Sequence, residues 1–161
     1  MTIDELMDLA RQAAAESPNR VRQVGVVVET KNGARVVACN TFPDGVRDIE
    51  ERHAGDGRFI WMEHAERNAI HQAARDGLAL GGATMTTTLY PCIDCARAIV
   101  QSGVKLLRTP EPDFNEPTWG EAFRISRVIL EEGGVNFEPW PPGNEMPPVQ
   151  AGPAPKLYAL G

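Results

Sequence analysis

Two short apolar runs joined by an Asn-Gly turn constrain this chain more than any other feature. VGVVVE runs from Val24 to Glu29, RVVACN from Arg35 to Asn40, and Lys31-Asn32-Gly33 lies between them. Asn-Gly between two such runs marks a hairpin, because a tight turn needs the positive φ that glycine adopts without strain. The sheet therefore begins as an antiparallel pair. Ahead of it, Thr2 and Glu5 form a capping-box pattern, and Ile3, Leu6, Leu9, Ala10 and Ala13 recur at helical spacing up to about Ser17-Pro18. Behind it the pattern alternates. A helix is predicted from Met62 or Glu63 to Asp76, ending at Gly77, followed by a strand from Thr84 to Tyr90. A helix after Pro91 ends at Gly103, and a strand spans Val104 to Thr109. Thr118 with Glu121 reads as a second capping box opening a helix to Glu132, with a final strand from Val135 to Glu138. Strands separated by helices pair in parallel. The expected fold is thus an α/β/α three-layer sandwich with a mixed five-stranded sheet and an N-terminal antiparallel hairpin.

A length of 161 residues suits one compact domain, assigned here to 1–140. Residues 141–161 are rich in Pro and Gly and read as an extended tail, in which Tyr158, together with Trp140, would cap a neighbouring active site. No apolar run reaches the roughly 18 residues of a membrane span, and the first residues lack a signal-peptide pattern. The expected location is the cytoplasm. The net charge of −6 disfavours a polynucleotide partner, while the one phosphate of a small nucleotide needs only one or two local arginines. Such arginines are available between Thr41 and Phe59, a stretch without periodicity that contains Arg47, Arg52, His53 and Arg58. As a plain solvated loop the same stretch would carry no ligand.

Chemistry concentrates at two predicted helix starts, His64-Ala65-Glu66 and Pro91-Cys92-Ile93-Asp94-Cys95. One imidazole and two thiolates make a tetrahedral zinc set with an open fourth position, the arrangement of a catalytic site. Cysteines in a first helical turn meet the positive end of the helix dipole, which favours the thiolate. C-x-x-C alone would also fit a redox pair or half of a structural zinc site. The third cysteine, Cys39, lies in an apolar run and reads as a small buried hydrophobe.

Together the two segments form the H-x-E…P-C-x-x-C signature of zinc deaminases. The chain resembles the cytidine and deoxycytidylate deaminase superfamily from the hairpin through the helix after Thr118, and within it the deoxycytidylate deaminases most. HAERNAI and TLYPCIDCARAIVQSGVK are similar to that family's metal-binding segments, and Asn40-Thr41-Phe42-Pro43-Asp44-Gly45 to its N-x-x-P-x-G loop. The resemblance implies the cytidine deaminase fold, a homodimer or larger homo-oligomer, and one zinc per chain held by His64, Cys92 and Cys95. Glu66 would then shuttle the proton, Asn40 would bind substrate, and the Ala65 N–H would face the ring carbonyl. A second zinc set of the kind many relatives carry is not expected from three cysteines.

The expected reaction is hydrolytic removal of an exocyclic amine from a pyrimidine, with dCMP giving dUMP. Phe59-Ile60-Trp61-Met62, just ahead of the catalytic helix, keeps a second substrate class open. If Trp61 and its neighbours narrow the pocket, a free base, nucleoside or triazine ring such as cytosine, azacytosine or guanine fits better than a nucleotide held by Arg58. If they form a buried strand-like segment, the nucleotide reading stands. A reading of another class, a catalytically silent zinc-stabilised interaction module, is opposed by Glu66. His71 reads as a packing or hydrogen-bonding residue. Glu63 would either orient the ligands or be a solvated first-turn carboxylate.

Overall fold

The computed structural model describes residues 1–142. Five strands form one mixed sheet: β1 (Gly25–Glu29), β2 (Arg35–Cys39), β3 (Thr84–Thr87), β4 (Leu106–Thr109) and β5 (Asn136–Pro139). The order across the sheet is β2-β1-β3-β4-β5. β1 pairs antiparallel with both β2 and β3, while β3, β4 and β5 run parallel. The expected hairpin is present, with Gly33 at φ 84° in its turn.

The helices are α1 (Ile3–Ala15), the short α2 (Gly57–Trp61), α3 (Ala65–Arg75), α4 (Ile93–Ser102) and α5 (Gly120–Glu132). Alternation along β1 sorts them into layers. Val27 faces Leu6 and Ala10 of α1. Val26 and Val28 face the other way, onto a larger core containing Ala65, Ala69 and Ala73 of α3, Ile99 of α4 and Leu130 of α5. α1 lies so close to β1 that a Cβ on Gly25 would sit 1.8 Å from the Ala10 carbonyl oxygen, so only glycine fits there. No helix among the described residues is long and apolar enough to cross a membrane.

The α/β/α sandwich with its mixed five-stranded sheet is therefore the fold expected from sequence, and the capping box of Thr2 and Glu5 forms. Three local expectations are corrected. The stretch from Thr41 to Phe59 is not uniformly irregular: it holds a 3-10 turn at Glu50–Arg52 and the start of α2. The apolar run Phe59-Ile60-Trp61 is helical and faces outward, with Ile60 73% exposed, so the buried strand-like reading fails. Thr118 does not cap α5. The Glu116 carboxylate accepts the Trp119 N–H instead, and the helix opens at Gly120, where a Cβ would meet the Phe114 carbonyl oxygen at 2.3 Å. The tail from residue 143 onward, with Tyr158, lies outside the described residues.

Candidate active site

α3 begins later than its periodicity suggests. Glu63 is held extended by a two-way backbone bridge to Thr41, with N–H···O distances of 2.8 and 3.2 Å. His64 is consequently the N-cap of α3 and Ala65 its first helical residue. Cys92 is likewise the N-cap of α4, and its sulfur accepts the Cys95 N–H at 3.5 Å. Both ligand-bearing segments are thus helix starts, and the fold packs them against each other.

The convergence is close. His64 Nδ1 lies 3.4 Å from Cys92 Sγ and 3.5 Å from Cys95 Sγ. The three donor atoms all fall within 4.8 Å of one another, the only such cluster among the described residues. Tetrahedral zinc with ordinary Zn–S and Zn–N bond lengths separates an imidazole nitrogen from a thiolate by about 3.5 Å. The residues present therefore fit zinc, and the sequence-derived set of His64, Cys92 and Cys95 is brought together.

Electrostatics in the metal-free chain follow from crowding these groups into a shielded site. The Cys95 thiol and His64 both stabilise a thiolate on Cys92, whose pKa falls to about 4. Cys95 moves the other way, held protonated by the adjoining Cys92 thiolate and by burial. His64 is raised by its contact with Cys92. Glu66 is only 4% exposed, and its pKa is raised, first by burial and then by the negative charge on Cys92. Its Oε2 sits 3.5 Å from Cys95 Sγ.

A cavity of about 130 Å³ opens onto this cluster. His64, Ala65, Glu66 and Cys92 line its floor. As the first residue of α3, Ala65 offers an N–H without an intrahelical acceptor. The walls are mostly apolar, among them Val24, Met62, Leu89 and Phe123, and the lining residues Asn19, Val21, Arg22, Arg58, Phe59 and Trp119 are partly or fully exposed, which makes them its rim.

Asn40 also lines the cavity, and most of its amide is already engaged: Oδ1 accepts the Val24 N–H at 2.9 Å and Nδ2 donates to the Arg22 carbonyl at 2.8 Å. One N–H remains for a ligand. Arg58 reaches the cavity with its guanidinium over the Phe59 ring, 4.5 Å from the centroid. Trp61 is not among the lining residues. Its ring carries the Arg52 guanidinium at 3.9 Å, and Arg52 also donates to the backbone carbonyl of Arg47, so the Arg52 charge is engaged away from the cavity, while Arg47 is exposed and does not line it. His53 pairs with Asp48 and rests edge-on against Phe42. Cys39 is half-buried in β2, apart from the metal cluster. His71 lies exposed beside Glu63, and the Glu63 carboxylate accepts the His64 N–H at 3.0 Å.

Sequence reasoning missed Arg22, Arg67 and Trp119 as components of the site or its surroundings, whereas Phe59 and Met62 of the apolar run it singled out do line the cavity. Arg22 sits between two turn-like residues and a strand, with no motif to single it out. Arg67 is half-buried between Glu63 and Asp94. Its signal was present in the sequence, since Glu63 and Arg67 are spaced i, i+4.

A three-ligand metal set beside a buried carboxylic acid, at the end of a ring-sized cavity, is the equipment of a zinc-dependent hydrolytic deaminase. Residues 1–109 match the cytidine and deoxycytidylate deaminase zinc-binding region, and the chain belongs to this family. An uncharacterised deaminase from the luxG 3′ region of Aliivibrio fischeri is 33% identical over 129 residues, which cover 79% of this chain and 85% of that protein. The deoxycytidylate deaminase of Enterobacteria phage T2 is 55% identical over 106 residues, covering 62% of this chain and 56% of the phage protein, so the likeness reaches little more than half of that relative. Among solved structures, the dCMP deaminase of cyanophage S-TIM5 superimposes with a TM-score of 0.65 at 25% identity, covering 85% of this chain and 95% of that one.

Proposed function

We propose that this chain converts dCMP to dUMP and ammonia. The observation that carries the reading is one cavity with the zinc cluster and Glu66 at its floor and two arginines, Arg22 and Arg58, at its rim. The similarity to phage and cyanophage dCMP deaminases supports the same substrate.

Bound by His64, Cys92 and Cys95, zinc supplies a Lewis acid that makes water nucleophilic near neutral pH. The chain's own residues do the rest. Asn40, through its remaining N–H, and the Ala65 N–H orient the ring so that its amino-bearing carbon faces the floor. Glu66 takes a proton from the attacking water and gives it to the adjacent ring nitrogen, then carries the second water proton to the amino group. The C–N bond breaks, ammonia leaves, and the water oxygen stays as the new carbonyl. A buried carboxyl whose pKa is raised by burial suits this exchange, because it takes up a proton more readily than an ordinary carboxylate. Arg22 and Arg58 pair with the phosphate, each through charge-assisted hydrogen bonds. Trp61 is left outside the contact set because its ring is occupied by Arg52.

The apolar walls favour a second reading, an uncharged free base or triazine ring. Ammonia release from dCMP, deoxycytidine, cytosine and an aminotriazine, measured side by side, separates the two. The expected order places dCMP first, with Glu66→Ala lowering turnover about a thousandfold while zinc stays bound. A preference for the free ring would remove phosphate recognition. Normal turnover by the Glu66 variant would remove the proton shuttle.

The exposed Val21, Phe59, Ile60 and Trp61 beside the rim support a homo-oligomer, which light scattering of the full chain would reveal as a mass above one chain. Two cysteines held as metal ligands and no disulfide among the described residues support a reducing, cytoplasmic location.

A further inference from the structure

The zinc ligands come from two helix starts with no covalent link between them, and helix starts repel because each is the positive end of a dipole. A group lying across that junction has a direct effect on how well the ligands converge. We propose that Arg67 is a positioning residue of the zinc site, clamping the start of α3 to the start of α4 through Glu63 and Asp94.

The contacts form a chain. Glu63 is fixed to Thr41 by its backbone bridge, and its Oε1 accepts both the His64 N–H at 3.0 Å and Arg67 Nε at 2.7 Å. On the far side, Arg67 Nη1 lies 3.6 Å from Asp94 Oδ2, on the residue immediately before Cys95. Competing partners exist for both carboxylates: Arg97 pairs with Asp94, and His71 Nε2 lies 3.7 Å from Glu63 Oε2. They are more solvated. The Arg67 side chain is 23% exposed, against 56% for Arg97 and 64% for His71. Of the three, only Arg67 contacts both carboxylates, and ion pairs weaken as water surrounds them. Arg67 does not line the substrate cavity, so it acts on the ligands and not on the ring. The inference rests on the zinc site alone and is independent of the substrate.

The test uses the full zinc-loaded chain as wild type, Arg67→Met, Arg67→Lys, Asp94→Asn and the Arg67→Met/Asp94→Asn double variant. Two quantities are read: the rate of zinc release to excess EDTA, and the gap between the melting temperatures of the zinc-loaded and stripped forms. Replacing groups that orient metal ligands typically costs about 10- to 100-fold in affinity. Arg67→Met should release zinc at least about tenfold faster and narrow the gap, since bound metal stabilises in proportion to its affinity. Arg67→Lys should fall between it and wild type, and the double variant should be no worse than Arg67→Met alone. Release at the wild-type rate, or equal lowering of both melting temperatures with the gap preserved, would overturn the proposal and leave an ordinary structural ion pair. If Arg67→Met does not fold, Asp94→Asn decides by the same two readouts.

Discussion

The floor and the rim of the cavity are built in different ways. At the floor, every reactive group sits within two residues of a helix start, and two such starts bring His64, Glu66, Cys92 and Cys95 together. At the rim, the side chains come from the loop before β1, from α2 and from the residue capping α5. The floor is enclosed by core residues such as Ala65, Ala69 and Ile99, all fully buried. The rim is half open: Phe59 is 52% and Val21 68% exposed. Rigid burial suits groups that must hold a metal and a proton in fixed positions, whereas the groups that receive and release a charged ligand have to meet water.

This contrast predicts unequal costs for substitutions. The largest effect belongs to the floor: Cys92→Ala should lose bound zinc and fall sharply in melting temperature, because metal binding and folding are coupled. Unchanged zinc content by elemental analysis would remove Cys92 from the ligand set. At the rim, Arg58→Ala and Arg22→Ala should each raise KM for dCMP about tenfold or more, the cost of one charged hydrogen bond, with deoxycytidine unaffected and the melting temperature kept. Equal losses on nucleotide and nucleoside would show that these arginines hold the rim together and do not read phosphate.

The smallest effect lies in the buried wall of the cavity. Tyr90 is 2% exposed, and its hydroxyl makes no well-formed hydrogen bond among the described residues, although Arg127 and Ser126 lie near it. Burial pushes its pKa up to about 12. The unfolded chain ionises near pH 10, so the stabilising contribution is complete below about pH 10 and is lost as pH rises through about 12. Tyr90→Phe should remove that alkaline loss and stabilise the fold at neutral pH by about 1 kcal/mol, because it deletes an unsatisfied buried hydroxyl. Denaturant unfolding at neutral and alkaline pH checks both; a destabilised variant would mean that the hydroxyl is satisfied in solution.

The floor was legible because its determinants are short-range. Two motifs three to five residues long name the ligands, and local capping places each of them at a helix start. The sheet was legible for the same reason, through an Asn-Gly turn and alternating periods. At the rim, reading failed in both directions. Trp61 was singled out and lies off the cavity, two positions from Phe59, which lines it, because a helical turn rotates neighbouring side chains apart. Arg47, Arg52 and Arg58 were indistinguishable as charges in a loop, and only packing separated Arg58 at the cavity from Arg52, which holds Trp61 of α2, and from the exposed Arg47. Asn40 was read as a ligand contact, and its amide proves also to brace the Arg22–Val24 segment while lining the cavity.

The sequence by itself therefore determined the sheet, the four longer helices and the candidate metal set with its neighbouring carboxylate, all of which depend on residue type at spacings of a few positions. Tertiary structure alone decided that Arg22 and Arg58 line one cavity, that Arg67 spans two helix starts, and that α3 begins at Ala65. Each of these rests on contacts between residues distant in the chain, such as the Thr41–Glu63 bridge, and no local pattern encodes where such partners will meet.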